Sequence, residues 1–487
     1  MNRPIRWLSV GCILLFLALL LNVNYVQFVR ADDLNDNSGN TRVQVAQFSR
    51  ERGPILVADD PVAVSKPVKD RFEFLRSYPQ AKPYAHVTGY YSFIYGSAGI
   101  ELTQNEILSG SDPRLFVDRV IDLVTNQEPQ GGSVMLTLDR AAQRAAYQGL
   151  QNLPGVAEGA VVALRPDTGE VLAMASSPSY NPGRLSSHDF DKVDKAWNKL
   201  NSAPKEPMFN RATQGRYPPG STFKLVTASA ALESGKYTPQ TPVPGTATLD
   251  LPLTTTNMVN ESGGSCGADT ITLTQALAVS CNTAFADVGM SVGAKALAEQ
   301  AQDYGFGQDV FDDLPADVTS VFPADADQPQ TAFSAIGQFE VAATPLQMAM
   351  VTAGIANDGT VMQPHLVSEV RAPDLTTLEE TEPEEFSQAV STETAEQLQD
   401  MMVSVTNVGT GGTGAIPGIE VGSKTGTAQT SDERHPYAWY VSFAPADNPE
   451  VAVAVFVEKA AVARSEISGS GLGGPIAKSV MQAVIDR

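Results

Sequence analysis

The chain has 487 residues, too many for one ordinary hydrophobic core, so two or three domains are expected. Its apolar fraction of 43% is that of a globular protein, and 33 basic residues against 55 acidic ones leave a net charge of −22. That balance argues against nucleic acid or an anionic membrane surface as a partner, and an anionic substrate would need a local cation to hold it.

Arg3 and Arg6 precede an apolar run from Trp7 to Leu21, with weaker apolar character continuing to Val29. Such a span crosses a hydrocarbon layer of roughly 30 Å if Asn22, Asn24 and Gln27 lie near one interface. Basic residues before the run and Asp32-Asp33 after it place the N-terminus in the cytoplasm. No small-residue cleavage site stands out. Residues 1–30 therefore read as a cytoplasmic stub and an uncleaved single-pass anchor, with everything after it exported. Cys12 lies in the anchor and carries no clear lipidation signal. Cys266 and Cys281 lie in the exported part and either pair there or remain two buried thiols. A bridge closing a loop of that length would contribute about 3 kcal/mol in the chain-entropy picture.

Residues 31–139 are mixed in character, with short β-like pieces at Pro54–Val57 and Tyr90–Ile94, polar linkers and no catalytic cluster. They read as a small non-catalytic pedestal, with the isolated His86 a surface or packing residue. Val134–Asp139 predicts a strand running into a helix from Ala141 to Leu150. Ala160–Leu164, the turn Pro166-Asp167-Thr168-Gly169, and Glu170–Met174 predict a hairpin. Tyr217-Pro218-Pro219-Gly220 can hardly be helical, whereas Thr222–Ser234 is rich in Ala and Leu and Gly235 suits a helix C-terminus. A helix is expected to begin at Ser221, placing Ser221 and Lys224 one turn apart on one face. Thr272 with Gln275 forms a capping-box pattern for a helix that runs on to Ser280-Cys281-Asn282. Thr344-Pro345 opens a helix, Leu346–Ala356, apolar on most sides and so buried. Acidic Glu379–Glu385 reads as an exposed loop or insertion. Ile419–Val421 leads into Gly422–Thr427, then Ala438–Ala444 and Val451–Val457 follow at hairpin spacing. Gly474-Pro475 starts a closing helix to Ile485. Two early strands, a long helical middle, three late strands and a helix make an α+β layout: one antiparallel sheet of about five strands, split in sequence around an all-helical subdomain.

A lone Ser-x-x-Lys carries little, because Ser202-Ala203-Pro204-Lys205 matches it too, and Pro204 pushes Ala203 out of helical geometry. Order and context carry more. The helix-initial Ser221-Thr222-Phe223-Lys224 is followed 59 residues later by Ser280-Cys281-Asn282 at a helix end, and a further 144 residues on from Ser280 by Lys424-Thr425-Gly426-Thr427 in a strand-like segment. Singly these residues have plain readings: a helix N-cap at Ser221, a helix end at Ser280 and Asn282, a solvated edge lysine at Lys424.

Together the three segments resemble the active-site motifs of penicillin-binding transpeptidases. Arg52-Gly53-Pro54-Ile55 resembles the Arg-Gly-x-Ile motif of the class B N-terminal domain. Gly159–Leu164 with Asp167–Glu170 resembles the first two strands of the catalytic sheet, and Ala335-Ile336-Gly337-Gln338 with Thr344-Pro345-Leu346-Gln347 resembles another internal signature. The likeness spans nearly everything after the anchor and is to class B enzymes of the actinobacterial penicillin-binding protein A type. It implies the penicillin-recognising serine transpeptidase fold over residues 140–487, behind the pedestal at 31–139. It implies that Ser221 attacks the carbonyl between the last two D-alanines of a stem peptide and that Lys224 takes the serine proton. Ser280 would relay a proton to the leaving amine. Asn282 would hold the peptide amide, and Lys424, Thr425 and Thr427 the substrate carboxylate, with Gly426 inside the motif. The backbone N–H groups of Ser221 and Thr427 would form the oxyanion hole.

The alternatives are a D,D-carboxypeptidase, or a non-enzymatic β-lactam sensor or scaffold of the same fold. A β-lactamase would usually be shorter, and no dedicated deacylating Glu is recognisable by motif. His86, His188, His365 and His435 form no Ser-His-Asp constellation. No metal-ligand cluster and no nucleotide loop is present, so no cofactor is expected. Residues 31–139 are too short for a glycosyltransferase domain. The resemblance therefore implies a partner, a RodA/FtsW-type membrane glycan polymerase, besides stem peptides as substrate and β-lactams as covalent inhibitors.

Overall fold

The computed structural model describes residues 2–30, 41–115, 130–315, 318–428 and 435–486; Asp32 and Asp33 lie outside them. The first element, α1 (Asn2–Asn24), runs into a π-helical turn at Tyr25–Val29. The 25 residues from Arg3 to Gln27 are long and apolar enough to cross a membrane, and none of their most apolar window is buried by protein. At 1.5 Å per residue they span about 37 Å.

The pedestal contains α2 (Thr41–Phe48), β1 (Ile55–Val57), β2 (Asp60–Pro67), β3 (Phe74–Ser77), α3 (Ala81–Thr88) and β4 (Ser133–Leu136). Strand β1 pairs antiparallel with β2 and parallel with β4. Two strands from far along the chain, Val367–Arg371 and Thr377–Glu380, complete this six-stranded sheet on the β4 side. The acidic stretch Glu379–Glu385 is a loop at its centre, residues 381–384, and its two ends belong to edge strands: Thr377–Glu380 closes one sheet, and Glu385–Gln388 pairs with Thr360–Met362. Its charges face water, which suits unpaired edges. Only Tyr91–Ser92 of the expected strand at Tyr90–Ile94 pairs, with Gly96–Ser97. His86 is a packing residue, buried with Nε2 3.0 Å from the Pro207 carbonyl. Desolvation draws its pKa down to about 4.

The pedestal buries a charge cluster. Glu101 is fully inaccessible and meets Arg52 Nε and Arg76 Nε, each at 2.6 Å. Tyr78 Oη donates to the same carboxylate at 3.1 Å, and Arg52 Nη2 donates to the Glu101 carbonyl at 2.7 Å. Burial pushes the Glu101 carboxyl up, but Arg76 and Arg52 overcome it and hold the group below its usual range.

The catalytic region is built from α4 (Arg140–Gln151), β5 (Glu158–Leu164), β6 (Val171–Ser177), α5 (Lys224–Glu233), α6 (Leu273–Ala278), α7 (Asn282–Val292), α8 (Pro345–Ala356), α9 (Thr392–Val408), β7 (Gly422–Ala428), β8 (Tyr437–Ala444), β9 (Val451–Lys459) and α10 (Gly474–Ile485). Its antiparallel sheet has the order β7-β8-β9-β5-β6, the early pair joined to the late three through β9 and β5. Both faces are covered. Val451, Val453, Val455 and Val457 pack with Ala142, Ala146 and Leu150 of α4 and with Ile476 and Val480 of α10. Ala452, Ala454 and Phe456 look the other way, into the core that holds α8. All twelve residues of α8 are buried, as its apolar circumference requires. Each large apolar side chain so enclosed contributes about 1.5–3 kcal/mol relative to exposure. The same apolar cluster includes Ile55 and Val134 of the pedestal, so the two regions share one contiguous core. Strand β7 is the edge strand, and it faces the turn that carries Ser221.

Candidate active site

The first segment differs locally from expectation. Gly220–Phe223 is a 3-10 turn, and α5 begins only at Lys224. Three residues per turn bring side chains i and i+3 into eclipse, which sets Ser221 and Lys224 over one another. Several contacts hold the turn. Gly220 adopts φ +53° and donates its N–H to the Gly337 carbonyl at 3.0 Å. Gly337 is itself left-handed, and a Cβ there would come within 2.1 Å of the Gly220 oxygen. Trp439 Nε1 donates to the Pro218 carbonyl at 2.9 Å, and Thr222 Oγ1 donates to that of Pro219 at 2.8 Å.

The second segment is a junction between two helices. Thr272 and Gln275 form the expected capping box, and α6 ends by Val279. Ser280 is left-handed at φ +61°, an uncommon state for a side chain larger than glycine, and costs about 1–2 kcal/mol. Cys281 then precedes α7 and is disulfide-bonded to Cys266. Cys281 supplies no side-chain cap. That duty falls to buried Asn260, whose Oδ1 accepts from Asn282 N at 2.9 Å, Thr283 N at 3.1 Å and Thr283 Oγ1 at 3.4 Å. Its Nδ2 donates to the carbonyls of Thr246 and Gly264, both at 2.9 Å.

The third segment lies on β7. A Cβ at Gly426 would sit 3.0 Å from the Pro219 carbonyl and 3.1 Å from Thr222 and Trp439, so glycine is what lets the serine turn lie against the strand. Lys424 Nζ donates to its neighbour Thr425 O at 2.8 Å and to Ser280 Oγ at 2.9 Å. Thr425 Oγ1 lies 2.6 Å from Thr410 Oγ1.

These bonds bring Lys224, Ser280, Asn282 and Lys424 together. Lys224 Nζ donates to the Ser280 carbonyl and to Asn282 Oδ1, each at 2.7 Å, and lies 3.3 Å from Ser280 Oγ. It sits 5.7 Å from the Phe285 ring centre. Both lysines are fully inaccessible. Burial, then the Lys424 charge, drives the Lys224 amine well below its ordinary range, with Glu261 opposing. Burial alone brings Lys424 down to about 7, again against Glu261. The two titrate as a pair, and the first proton leaves Lys224. A neutral amine has two N–H donors and one lone pair. The two short bonds use the donors, so the lone pair is left for a hydroxyl hydrogen.

Ser221 Oγ makes no hydrogen bond among the described residues; it opens onto a cleft of two lobes. One, of about 560 Å³, is lined by Ser221, Ser280, Thr410, Thr425, Thr427 and the disulfide. The other, of about 310 Å³, shares Ser221 and Thr427 and adds Asn282, Met258, Phe333 and Ile336. A smaller polar cleft, between the turns at Arg165–Asp167 and Ala446–Glu450, includes none of the three motifs. The look-alike Ser202 ends the helix Phe190–Asn201, and its Lys205 donates instead to the Val156 carbonyl at 2.6 Å. Asn260, Glu261, Thr410 and Phe285 were not singled out from the sequence. The partners of Asn260, Thr410 and Phe285 lie at other points of the chain, and no local pattern marks any of the four.

Known proteins match this chain along nearly its whole length. The family model described as "Penicillin binding protein transpeptidase domain" matches residues 159–482, and the "Penicillin binding protein A dimerisation domain" matches 52–134. The chain is 41% identical to the peptidoglycan D,D-transpeptidase PbpA of Mycolicibacterium smegmatis, over 100% of this chain and 99% of that one. It is 40% identical to the Mycobacterium tuberculosis protein of the same name, with the same coverage. Among solved structures, the ceftriaxone acyl-enzyme complex of M. tuberculosis penicillin-binding protein A superposes with a TM-score of 0.86 at 39% identity, covering 91% of this chain and 100% of that one. The penicillin G acyl-enzyme of that protein gives 0.84 at 39% identity, covering 90% and 100%.

Proposed function

The chain belongs to the penicillin-binding protein transpeptidases, and from that premise we propose how its buried pair of lysines performs the reaction. It is a peptidoglycan D,D-transpeptidase that β-lactams acylate. The observation that carries the mechanism is a fully buried Lys224 amine, bonded at 2.7 Å to the Ser280 carbonyl and to Asn282 Oδ1, on the residue one 3-10 turn from Ser221.

Ser221 Oγ attacks the carbonyl carbon between the last two D-alanines while Lys224 accepts its proton. The carbonyl oxygen becomes an oxyanion, held by the N–H groups of Ser221 and Thr427, each worth about 3 kcal/mol in sites where such donors have been removed. Ser280 Oγ, between the two amines, passes a proton from Lys224 to the departing nitrogen. The C–N bond breaks and D-alanine leaves. Lys424, kept as the cation of the pair, holds the substrate's terminal carboxylate with Thr425 and Thr427. Asn282 donates one amide hydrogen to the Val259 carbonyl at 3.0 Å, and its second hydrogen is the donor for a stem-peptide carbonyl. An amine of a neighbouring stem then takes the acyl group and closes the cross-link.

Exposure to labelled penicillin tests the nucleophile. The wild-type chain should be labelled covalently and Ser221→Ala should not; labelling of the variant would overturn the assignment. Mass spectrometry of products from a stem-peptide analogue separates the activities. Cross-linked dimer supports transpeptidation, whereas trimmed tetrapeptide alone would make the chain a carboxypeptidase.

The single apolar N-terminal helix supports a membrane anchor, and the basic residues before it support a cytoplasmic N-terminus. In this reading residues 31–139 lift the catalytic region from the membrane and, with the anchor, dock a RodA/FtsW-type polymerase that makes the glycan. Exchanging α1 for an unrelated span, together with charge reversals on the pedestal surface, should weaken co-purification of that polymerase. Unchanged recovery would overturn the docking assignment.

A further inference from the structure

Glu261 is the one charged side chain among the described residues lining either lobe of the cleft, and it lines both. The rest of the polar wall is neutral: serine, threonine, asparagine and glutamine. Its backbone is fixed on both sides. Asn260, just before it, is bound to Asn282, Thr283, Thr246 and Gly264, and the Asn260 carbonyl accepts from Gly263 N at 2.9 Å. A few residues later the disulfide ties Cys266 to the second motif. The Glu261 carboxylate itself is exposed and has neither hydrogen bond nor ion pair among the described residues. Charge on an anchored stretch of backbone at a cleft wall, without an internal partner, acts on whatever enters. Its field already reaches both buried lysines and opposes their loss of protons.

The two substrates of a transpeptidase differ in charge where they react. The donor brings a carboxylate, which Lys424 meets. The acceptor brings an amine that is an ammonium in water, and the described wall offers it one carboxylate. Building on the transpeptidase reading, we infer that Glu261 recognises the acceptor: it draws the primary ammonium of the second stem peptide into the cleft and sets it beside the Ser221 ester. The ammonium gives one proton to water. Its nitrogen bonds to the acyl carbon as the bond from that carbon to Ser221 Oγ breaks. A second N–H proton passes through Lys224 to Ser221 Oγ and restores the hydroxyl.

Competition between two acceptors tests this on the full chain. The enzyme, acylated by a depsipeptide donor, is offered Nα-acetyl-lysinamide, cationic at neutral pH, together with hydroxylamine, neutral there, and both transfer products are counted by mass spectrometry. Both come from one acyl-enzyme, so any change in acylation cancels in their ratio. Glu261→Gln should lower the cationic-to-neutral ratio about tenfold. High salt should lower that ratio in the wild type and leave the variant unmoved. A ratio that Glu261→Gln does not change, or wild-type transfer insensitive to salt, would overturn the assignment. If the wild type acylates but transfers to neither amine, the transpeptidase reading fails and this one with it.

Discussion

Two groups of buried charges among the described residues meet the cost of burial in opposite ways. In the pedestal, Glu101 sits between Arg52 and Arg76 and stays ionised, its carboxylate bonded to both guanidinium groups. In the cleft, Lys224 and Lys424 are just as inaccessible, but no carboxylate among the described residues pairs with either, and burial lowers the pKa of both, that of Lys224 furthest. Burial with a partner fixes a charge and a structure. Burial beside a like charge removes the charge and leaves a base.

The most forceful way to break the contrast is to remove that base. Lys224→Met should lower the penicillin acylation rate about 10³-fold, measured by stopped-flow with a fluorescent penicillin, while the fold persists. Next is the pedestal: Glu101→Ala leaves two buried guanidinium groups unmatched and should cost about 3 kcal/mol in urea unfolding. Acylation by the folded fraction should stay within about twofold, since the cluster does not touch the cleft. A third variant should act in the opposite direction. Lys424→Met removes a buried amine and should stabilise the chain by about 1–2 kcal/mol near neutral pH while impairing activity. The sign follows from linkage. Lys424 titrates at about 7 in the fold and near 10.4 when unfolded. Between those values the unfolded chain holds a proton the folded one lacks, so wild-type stability rises with pH. The advantage of the methionine variant should therefore be greatest below about pH 7 and fade toward the ordinary lysine range; an advantage flat with pH would break the account. The smallest effect is expected at Asn260→Ala, which uncaps α7: about 1 kcal/mol of stability, with slower acylation as Asn282 loosens its hold on Lys224.

How far the sequence carried this can be traced residue by residue. The antiparallel catalytic sheet was legible because β5, β6, β8 and β9 alternate or run apolar between turn residues, and α8 because it is apolar on every side. The cleft was legible because its chemistry is concentrated in three short segments whose order is itself informative. What stayed hidden depends on distant contacts. Nothing around Asn260 says that it caps a helix starting 22 residues later, and the 3-10 form of the Ser221 turn depends on Gly337 and Trp439. The acidic stretch from Glu379 is the exposed loop expected at its centre, but its ends are strand: a charged edge strand and a solvated loop look alike in composition, and only pairing separates them.

The two strands that Val367–Arg371 and Thr377–Glu380 add to the pedestal sheet bear on how the protein is made. β4 leaves the ribosome more than two hundred residues before its neighbour Val367–Arg371, and at ordinary synthesis rates that is a delay on the order of tens of seconds. Until then β4 has an unpaired edge, and its sheet waits for a segment from well beyond Ser221. Quality control of this protein then falls on that interval, and a truncated product that ends before Val367 should be degraded rather than persist as an inactive fragment.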